Sequence, residues 1–368
     1  MANLCRWGFL STAGIGRKNW KAIYHAENAV VSAVASRDLS KAKAFVAQNQ
    51  STTPFATPPR SYGDYESLLA DPEIDAIYIP LPTALRKTWV IAAAEAGKHV
   101  LCEKPCASNL ADLRAMTDAC QANHVQFMDG VMFMHSQRLP AIKSALHDPE
   151  RIGQLRRIGI QFSFCGPEAF FQNDIRTHSQ MEPQGCLGDL GWYCIRMLLW
   201  AMNGRLPYQV SARILTEGKQ PTSPANVPLE FSAELLFEDN VSASFYCSFL
   251  TEHQQFVRFC GSKGYLQIDD FVLPYIGSEL NFDIANHAFH VNGCDFNMER
   301  HVERRSVREY ANSWPNAQET NMIRTFSNLA LHKATDPQWP KWSLATQSVL
   351  DACLEAGRTG KPIRPESV

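Results

Sequence analysis

The chain has 368 residues, 45% of them apolar and 20% charged, so it can build a substantial core and is not a disordered polymer. Its 35 Lys+Arg against 37 Asp+Glu leave a net charge of -2, without the basic excess of a general nucleic-acid binder. Eleven cysteines at irregular spacing, with no C-x-x-C pair, argue against a disulfide framework or zinc ribbon and fit reduced thiols in the cytoplasm. No basic, then apolar leader opens the sequence, and no run of about 18 apolar residues could span a membrane.

In chain order, the first 130 residues alternate short apolar runs with helical periodicity. Strands are expected at 7–11, 30–36, 76–79, 99–102 and 126–129. Helices are expected at 17–25, 40–49, 65–70, 85–96 and 110–123. Such alternation predicts a doubly wound parallel sheet covered on both faces. After residue 150 the pattern changes. A helix over 188–202 is followed by β-rich stretches at 208–215, 229–237, 241–249, 254–260 and 264–268, with another at 155–165 before it. Hairpin-type turns between neighbours predict a mostly antiparallel sheet. Residues 281–314 read as polar and loop-rich, and helices return at 318–331 and 343–356. The fold class is therefore α/β, with a Rossmann domain over 1–130 and an α+β domain over 131–368. The second domain is expected to bind substrate and, through the open face of its sheet, to pair with other copies, and the helix near 343–356 is expected to pack back on the first domain.

The first strand runs into Ser11-Thr12-Ala13-Gly14-Ile15-Gly16 and then a helix. Small residues here let the backbone approach a pyrophosphate, and the helix N-terminus supplies N–H donors. Only the third glycine of the G-x-G-x-x-G pattern is kept, at Gly16, so the turn alone also fits an ordinary strand-turn-helix. The second strand ends Ser36-Arg37, where an NAD site would carry an acidic residue. Serine and arginine suit a ribose 2′-phosphate, which favours NADP with NAD as the alternative. An exposed turn is the competing reading. Leu81, Pro82 and Thr83 follow the third long strand and are expected along the nicotinamide ribose.

The run Gly97-Lys98-His99-Val100-Leu101-Cys102-Glu103-Lys104-Pro105 resembles the signature of the Gfo/Idh/MocA oxidoreductases. Residues 7–18, 33–44, 77–82 and 129–138 fit the same family in order. Gly185-Cys186-Leu187-Gly188-Asp189-Leu190-Gly191-Trp192-Tyr193 resembles its second motif. The likeness is greatest to the branch that holds glucose-fructose oxidoreductase, dihydrodiol dehydrogenase and D-xylose dehydrogenase. The resemblance implies that Glu103 and Lys104 lie at the nicotinamide ribose, with Lys104 also near the substrate oxygen. It implies that Asp189 and Tyr193 form the acid/base pair, on one helix face at i, i+4. Thr83-Ala84-Leu85-Arg86 departs from the family's Asn-x-x-His.

These residues predict reversible hydride transfer to or from a nicotinamide, and the family resemblance implies a sugar, polyol or vicinal diol as the substrate. Tyr193 is the acid/base, Lys104 is expected to lower its pKa, Asp189 is expected to bind the polyhydroxylated substrate, and Arg176 is expected either to bind it too or to serve a structural salt bridge. No metal is expected. A catalytically silent sugar sensor of the same fold is the alternative. Phe245, Phe249, Phe256 and Phe259 are expected to give the open sheet an apolar face for a homodimer or higher oligomer. Cys102, Cys106, Cys186 and Cys194 flank the motifs, so thiol reagents are expected to inhibit by crowding the cleft.

Overall fold

A computed structural model describes residues 4–368. The first unit runs β1 (Cys5–Leu10), α1 (Gly16–His25), β2 (Ala29–Ala35), α2 (Leu39–Thr52), β3 (Arg60–Tyr62) and α3 (Tyr65–Leu69). It continues with β4 (Ala76–Ile79), α4 (Thr83–Glu95), β5 (His99–Cys102), α5 (Leu110–Ala122) and β6 (Phe127–Asp129). All six strands pair in parallel, in the order β3-β2-β1-β4-β5-β6. Every residue of β4 and β5 is buried, as a sheet covered on both faces requires. The strand order reverses between β1 and β4, which opens a crevice at the strands' carboxyl ends. The sequence does not announce β3. Its three residues, Arg-Ser-Tyr, follow Thr57-Pro58-Pro59 on the sheet edge and carry no apolar run. Asp38, Asp64 and Asn109 cap α2, α3 and α5 by accepting from backbone N–H groups in their first turns.

The second unit holds α6 (Arg138–Leu146), β7 (Leu155–Cys165), α7 (Glu168–Asn173), α8 (Trp192–Ala201), β8 (Gln209–Gly218) and β9 (Val227–Phe237). It then runs β10 (Val241–Ser248), β11 (Leu250–Gly261), β12 (Tyr265–Ile268), β13 (Leu280–Asn292) and β14 (Asp295–Val307). These strands form one sheet, β14-β13-β12-β11-β7-β10-β9-β8, antiparallel except where β7 and β10 run parallel. Ile158, Ile160, Ala243, Phe245, Val257 and Phe259 are buried on its inner face, and α8 packs on β7 and β10 there. The outer face carries Arg157, which donates to Ser242, Ser244 and Glu234.

That alternation corrects one expectation. Phe245, Phe249 and Phe259 are fully buried, and only Phe256 of the four is left partly exposed. A second correction concerns 281–314, which is no loop. Residues 280–307 form two 13-residue strands in continuous register, and only the stretch 308–317 is irregular.

Two C-terminal helices, α9 (Gln318–Leu331) and α10 (Gln338–Thr359), close the chain. The first lies on α1, β1 and β2, where the Trp7 indole donates to Ser327 Oγ at 3.1 Å. The second packs mainly on α8 and β8 of the second unit and also reaches α5 and β6 of the parallel unit, so it bridges the two sheets. Its Asp351 accepts from the Leu110 amide at 2.7 Å.

Candidate active site

The β1–α1 turn sits at the strand-order switch. Ser11 occupies the first-glycine position with φ 134°, a backbone region that disfavours side chains. Its hydroxyl accepts from the Ala13 amide at 3.0 Å, which ties the strained turn to itself. Nothing lies within 4 Å of where a Cβ on Gly14 would stand, so the turn's outer side is open at the start of α1. Gly16 instead packs inward against Phe9 and Phe45. Ser36 is nearly buried at the end of β2, its amide bonded to Tyr62 O, and Arg37 beside it is exposed. An open turn, a helix N-terminus and a free guanidinium at the neighbouring strand end fit a dinucleotide with a 2′-phosphate.

Beyond the turn lies a cleft of about 550 Å³. Ala13, Ile15, Leu81, Glu103, Lys104, Arg176, Asp189 and Tyr193 line it. Ser11, Thr12, Gly16, Ser36, Arg37, Pro82 and Thr83 do not. The sequence therefore marks the Lys104–Tyr193 end of the cleft, and Ser36 and Arg37 stand outside it.

Lys104 projects from the end of β5. Its ammonium donates to Asp189 Oδ1 at 2.6 Å and to Asp189 O at 2.8 Å, and lies 4.6 Å from the centre of the Tyr193 ring. Asp189 and Tyr193 come from the second motif, as expected, but not on one regular helix. Leu187–Gly191 is a π-helical turn that runs into α8 at Trp192. Glycine is needed at 188, because a Cβ there would stand 2.9 Å from Gln184 Cβ and 3.2 Å from Pro105 Cγ. The close approach of these two backbones lets a short Asp189 side chain reach Lys104.

Arg176 closes the other side of Asp189, with Nε 3.0 Å from Oδ2 and Nη1 3.2 Å from Asp174 Oδ1. The result is a chain of alternating charge, Asp174–Arg176–Asp189–Lys104. Burial by itself raises the Asp189 carboxyl, but Arg176 and Lys104 outweigh it and hold the group well below the ordinary carboxylate range. Asp189 in turn raises the Arg176 guanidinium.

The Tyr193 phenol goes the other way from expectation. Burial, then the charges of Glu103 and Asp189, push it well above 10. The Lys104 ammonium beside the ring is itself paired with the Asp189 carboxylate. Among the described residues, the one hydrogen-bond partner of the Tyr193 hydroxyl is the Met132 thioether, 3.7 Å away. That is a weak acceptor, so the phenol keeps its proton available to the cleft.

Thr83 turns away from the cleft. It is buried, its amide donates to Glu182 Oε1 at 3.0 Å, and its hydroxyl bonds Glu182 and accepts from Arg86 at 3.0 Å. Arg86 also donates to the Pro105 carbonyl. This buried network fixes the loop that carries Lys104. Sequence reasoning misses Arg86 and Glu182, together with Lys18, Asn19, Glu319, Met132 and Leu273, all of which line the cleft. The one available signal is Arg86 itself, which stands in the sequence where the family pattern is broken. The four cysteines around the motifs are fully buried, and burial pushes the thiols of Cys106, Cys186 and Cys194 up, so reagents do not meet them as thiolates.

Comparison with known proteins agrees with this geometry. Residues 5–131 match the GFO/IDH/MocA oxidoreductase family with its NAD-binding Rossmann fold, and residues 143–267 match the C-terminal domain of the same family. The chain is 31% identical over 278 residues to D-xylose 1-dehydrogenase (NADP(+)) 2 of Haloferax volcanii, covering 75% of this chain and 80% of that one. It is 31% identical over 271 residues to trans-1,2-dihydrobenzene-1,2-diol dehydrogenase of Sus scrofa, covering 72% and 74%. Among solved structures, a 3-ketoreductase from Actinomadura kijaniata with NADP and TDP-benzene shares the fold at a TM-score of 0.78 and 24% identity, over 96% and 98% of the chains. Each half of the chain thus carries its own family domain, and relatives above 30% identity run through both; the chain belongs to the GFO/IDH/MocA family of NAD(P)-dependent oxidoreductases.

Proposed function

We propose that this protein transfers hydride between NADP and a sugar, polyol or vicinal diol. The observation that carries the reading is the meeting of Lys104, Asp189 and Tyr193 in one cleft beneath the β1–α1 turn. NADP, when bound, supplies the nicotinamide carbon that gives or takes the hydride. The turn at 11–16 would hold its pyrophosphate, Ser36 and Arg37 would take the 2′-phosphate, and Leu81, Glu103 and Lys104 would border its nicotinamide end. NADP-dependent D-xylose dehydrogenase and dihydrodiol dehydrogenase among the relatives support both the cofactor and the substrate class.

In carbonyl reduction, the neutral Tyr193 phenol donates its proton to the substrate oxygen, and in alcohol oxidation it takes that proton back. The high pKa set by burial and by Glu103 and Asp189 suits the donor role. Lys104, fixed by Asp189, stands over the phenol and stabilises negative charge that develops on the oxygen. Arg176 has donors left over after Asp174 and Asp189 and orients substrate hydroxyls.

The open outer face of the eight-stranded sheet is proposed to join copies into a homodimer or higher oligomer. The support is a face of mixed polarity around Arg157, Phe256 and Arg258, not a row of phenylalanines. Eleven free cysteines support a cytoplasmic setting. The test is turnover of NADP with a panel of aldoses, polyols and dihydrodiols. Tyr193→Phe should lower kcat at least 100-fold, with NADPH binding retained. Tight NADPH binding without turnover on any member of the panel would sink the enzymatic reading.

A further inference from the structure

Strands β13 and β14 outrun the sheet that carries them. β12 pairs with β13 only through Asp283, Ile284 and Ala285. Seven further residue pairs, from Asn286↔His301 to Asn292↔Asp295, have no third strand beside them. At about 3.4 Å per residue, this ribbon reaches roughly 24 Å past the sheet. It also lies beyond the residues matched by either family domain.

The overhang is built as a two-sided ribbon. Directly opposed residues share a face. One face holds Phe289 against Met298 and Val291 against Phe296, and the other holds Asn286, Ala288, His290 and Asn292 against His301, Glu299, Asn297 and Asp295. The four apolar side chains are 56–70% exposed, and Phe289 and Phe296 stack with ring centres 6.1 Å apart. Strict alternation of this kind is the pattern of strands with one covered face. A two-stranded ribbon is at best marginally stable by itself in water, so an uncovered aromatic face at its tip calls for an occupant.

The apolar row has a definite direction. Its root, His287, stacks on Tyr265 at 5.9 Å, and Tyr265 takes the Arg258 guanidinium at 4.9 Å. Arg258 and Arg157 belong to the open outer face of the sheet, so the row continues that face past the edge of the molecule. A body that covers the open face is the body the overhang reaches. An anionic membrane is a poor fit, because residues 286–301 carry Asp295 and Glu299 against Arg300 alone.

We propose that the overhanging ribbon is an arm that clasps a second copy of this chain, with Phe289, Val291, Phe296 and Met298 laid on the partner. The proposal rests on the assembly of copies through the open sheet face. Two-fold pairing lets each copy give one arm and receive one, which closes the assembly without a free arm.

The test uses the full chain. Sedimentation velocity across micromolar concentrations should give a dimer or larger for the natural protein. Phe289→Asp with Phe296→Asp should weaken association at least 100-fold, while His290→Ala with Asn297→Ala on the polar face should not. NADPH fluorescence should be the same in all three, which separates loss of the arm contact from loss of the fold. A second readout uses Cys294, exposed at the arm's tip. With the other fully exposed thiol removed by Cys165→Ser, a photo-crosslinker on Cys294 should join two chains. An intact oligomer in the aspartate variant, with only intrachain crosslinks from Cys294, would overturn the arm and leave the open-face assembly standing. A natural protein that sediments as a monomer would overturn both.

Discussion

Replacing Asp189 by asparagine tests the electrostatics of the site directly. In the natural protein the Lys104 ammonium, 4.6 Å from the Tyr193 ring centre, is matched by a carboxylate 2.6 Å away. The substituted amide would keep the shape and lose the charge. A full unmatched charge at 4.6 Å is worth about 3.6 kcal/mol at an effective dielectric of 20. At 1.36 kcal/mol per pH unit that is an upper bound of about 2.6 units. Solvent and the remaining amide dipole reduce it, so the Tyr193 pKa should fall by roughly one to two units. Carbonyl reduction needs the protonated phenol. The natural enzyme should therefore show no alkaline limb from Tyr193 up to about pH 10, and Asp189→Asn should bring one into the measurable range.

The assay is the pH dependence of kcat for reduction, beside an ultraviolet phenolate titration referenced to Tyr193→Phe. Stability supplies an independent check on the same variant. The Asp189 carboxyl is held below its ordinary value. Its contribution is therefore present above the unfolded pKa near 3.9 and is lost as pH falls through the lower folded value. The variant should melt below the natural protein at neutral pH, and the gap should narrow in acid below about pH 4. If the two pH–rate profiles superimpose within about 0.3 unit and the phenolate titration does not move, the charge chain does not govern Tyr193.

Three other outcomes are expected. Ser36→Asp with Arg37→Ala should weaken NADPH binding at least tenfold in a fluorescence titration and leave NADH binding equal or better; unchanged selectivity would mean that the end of β2 does not read the 2′-phosphate. Glu309 is buried, and burial lifts its carboxyl to about 7, against the amide of Gln137 and the hydroxyl of Ser136. A raised folded pKa gives stability that is complete below the unfolded value near 4.3 and lost as pH rises through 7, about 4 kcal/mol in all. Thermal melts of the natural protein should thus fall between pH 5 and 8, and Glu309→Gln should flatten that slope; parallel curves would refute it. A thiol reagent under native conditions should label Cys165 and Cys294 rapidly and spare the buried cysteines around Lys104 and Asp189, with turnover unaffected. Fast inactivation traced to Cys102 or Cys186 would contradict the burial.

What the sequence reveals depends on how local the cause is. β4 and β5 are legible because a strand covered on both faces must be apolar at each position. Lys104, Asp189 and Tyr193 are legible because their glycine and proline neighbours mark backbone approaches that few residues allow, as at Gly188. Arg86 and Glu182 are 96 positions apart and meet only in the folded chain around Thr83, so no spacing could pair them. The direction of the Tyr193 pKa is hidden for a related reason. In the sequence Lys104 counts as a free charge, and its neutralisation by Asp189 is a tertiary fact. The β13–β14 ribbon is masked by its charges, since β14 alternates Met298, Arg300 and Val302 with Glu299, His301 and Glu303 and reads as polar throughout.

The same tertiary logic explains why residues from two sheets can act as one site. Lys104 ends β5 and belongs to the parallel sheet, whereas Asp189 and Tyr193 precede and begin α8 in the other unit. Asp129, at the end of β6, accepts from both guanidinium arms of Arg196 and from the Trp192 indole. Arg196 Nε donates to Thr346 of α10 at 2.8 Å. Both charges are fully buried, so separating them would leave an unpaired ion in the core, a cost of about 3–5 kcal/mol. Trp192 is the immediate neighbour of Tyr193, and Arg196 lies one turn further along α8. The ion pair therefore fixes α8 against the parallel sheet at the base of the cleft, and the 2.6 Å contact between Lys104 and Asp189 depends on that join. Around the cleft rim, residues 167–176 are partly to fully exposed, so motion that admits cofactor and substrate is expected there first, with the two sheets held together by the Asp129–Arg196 pair.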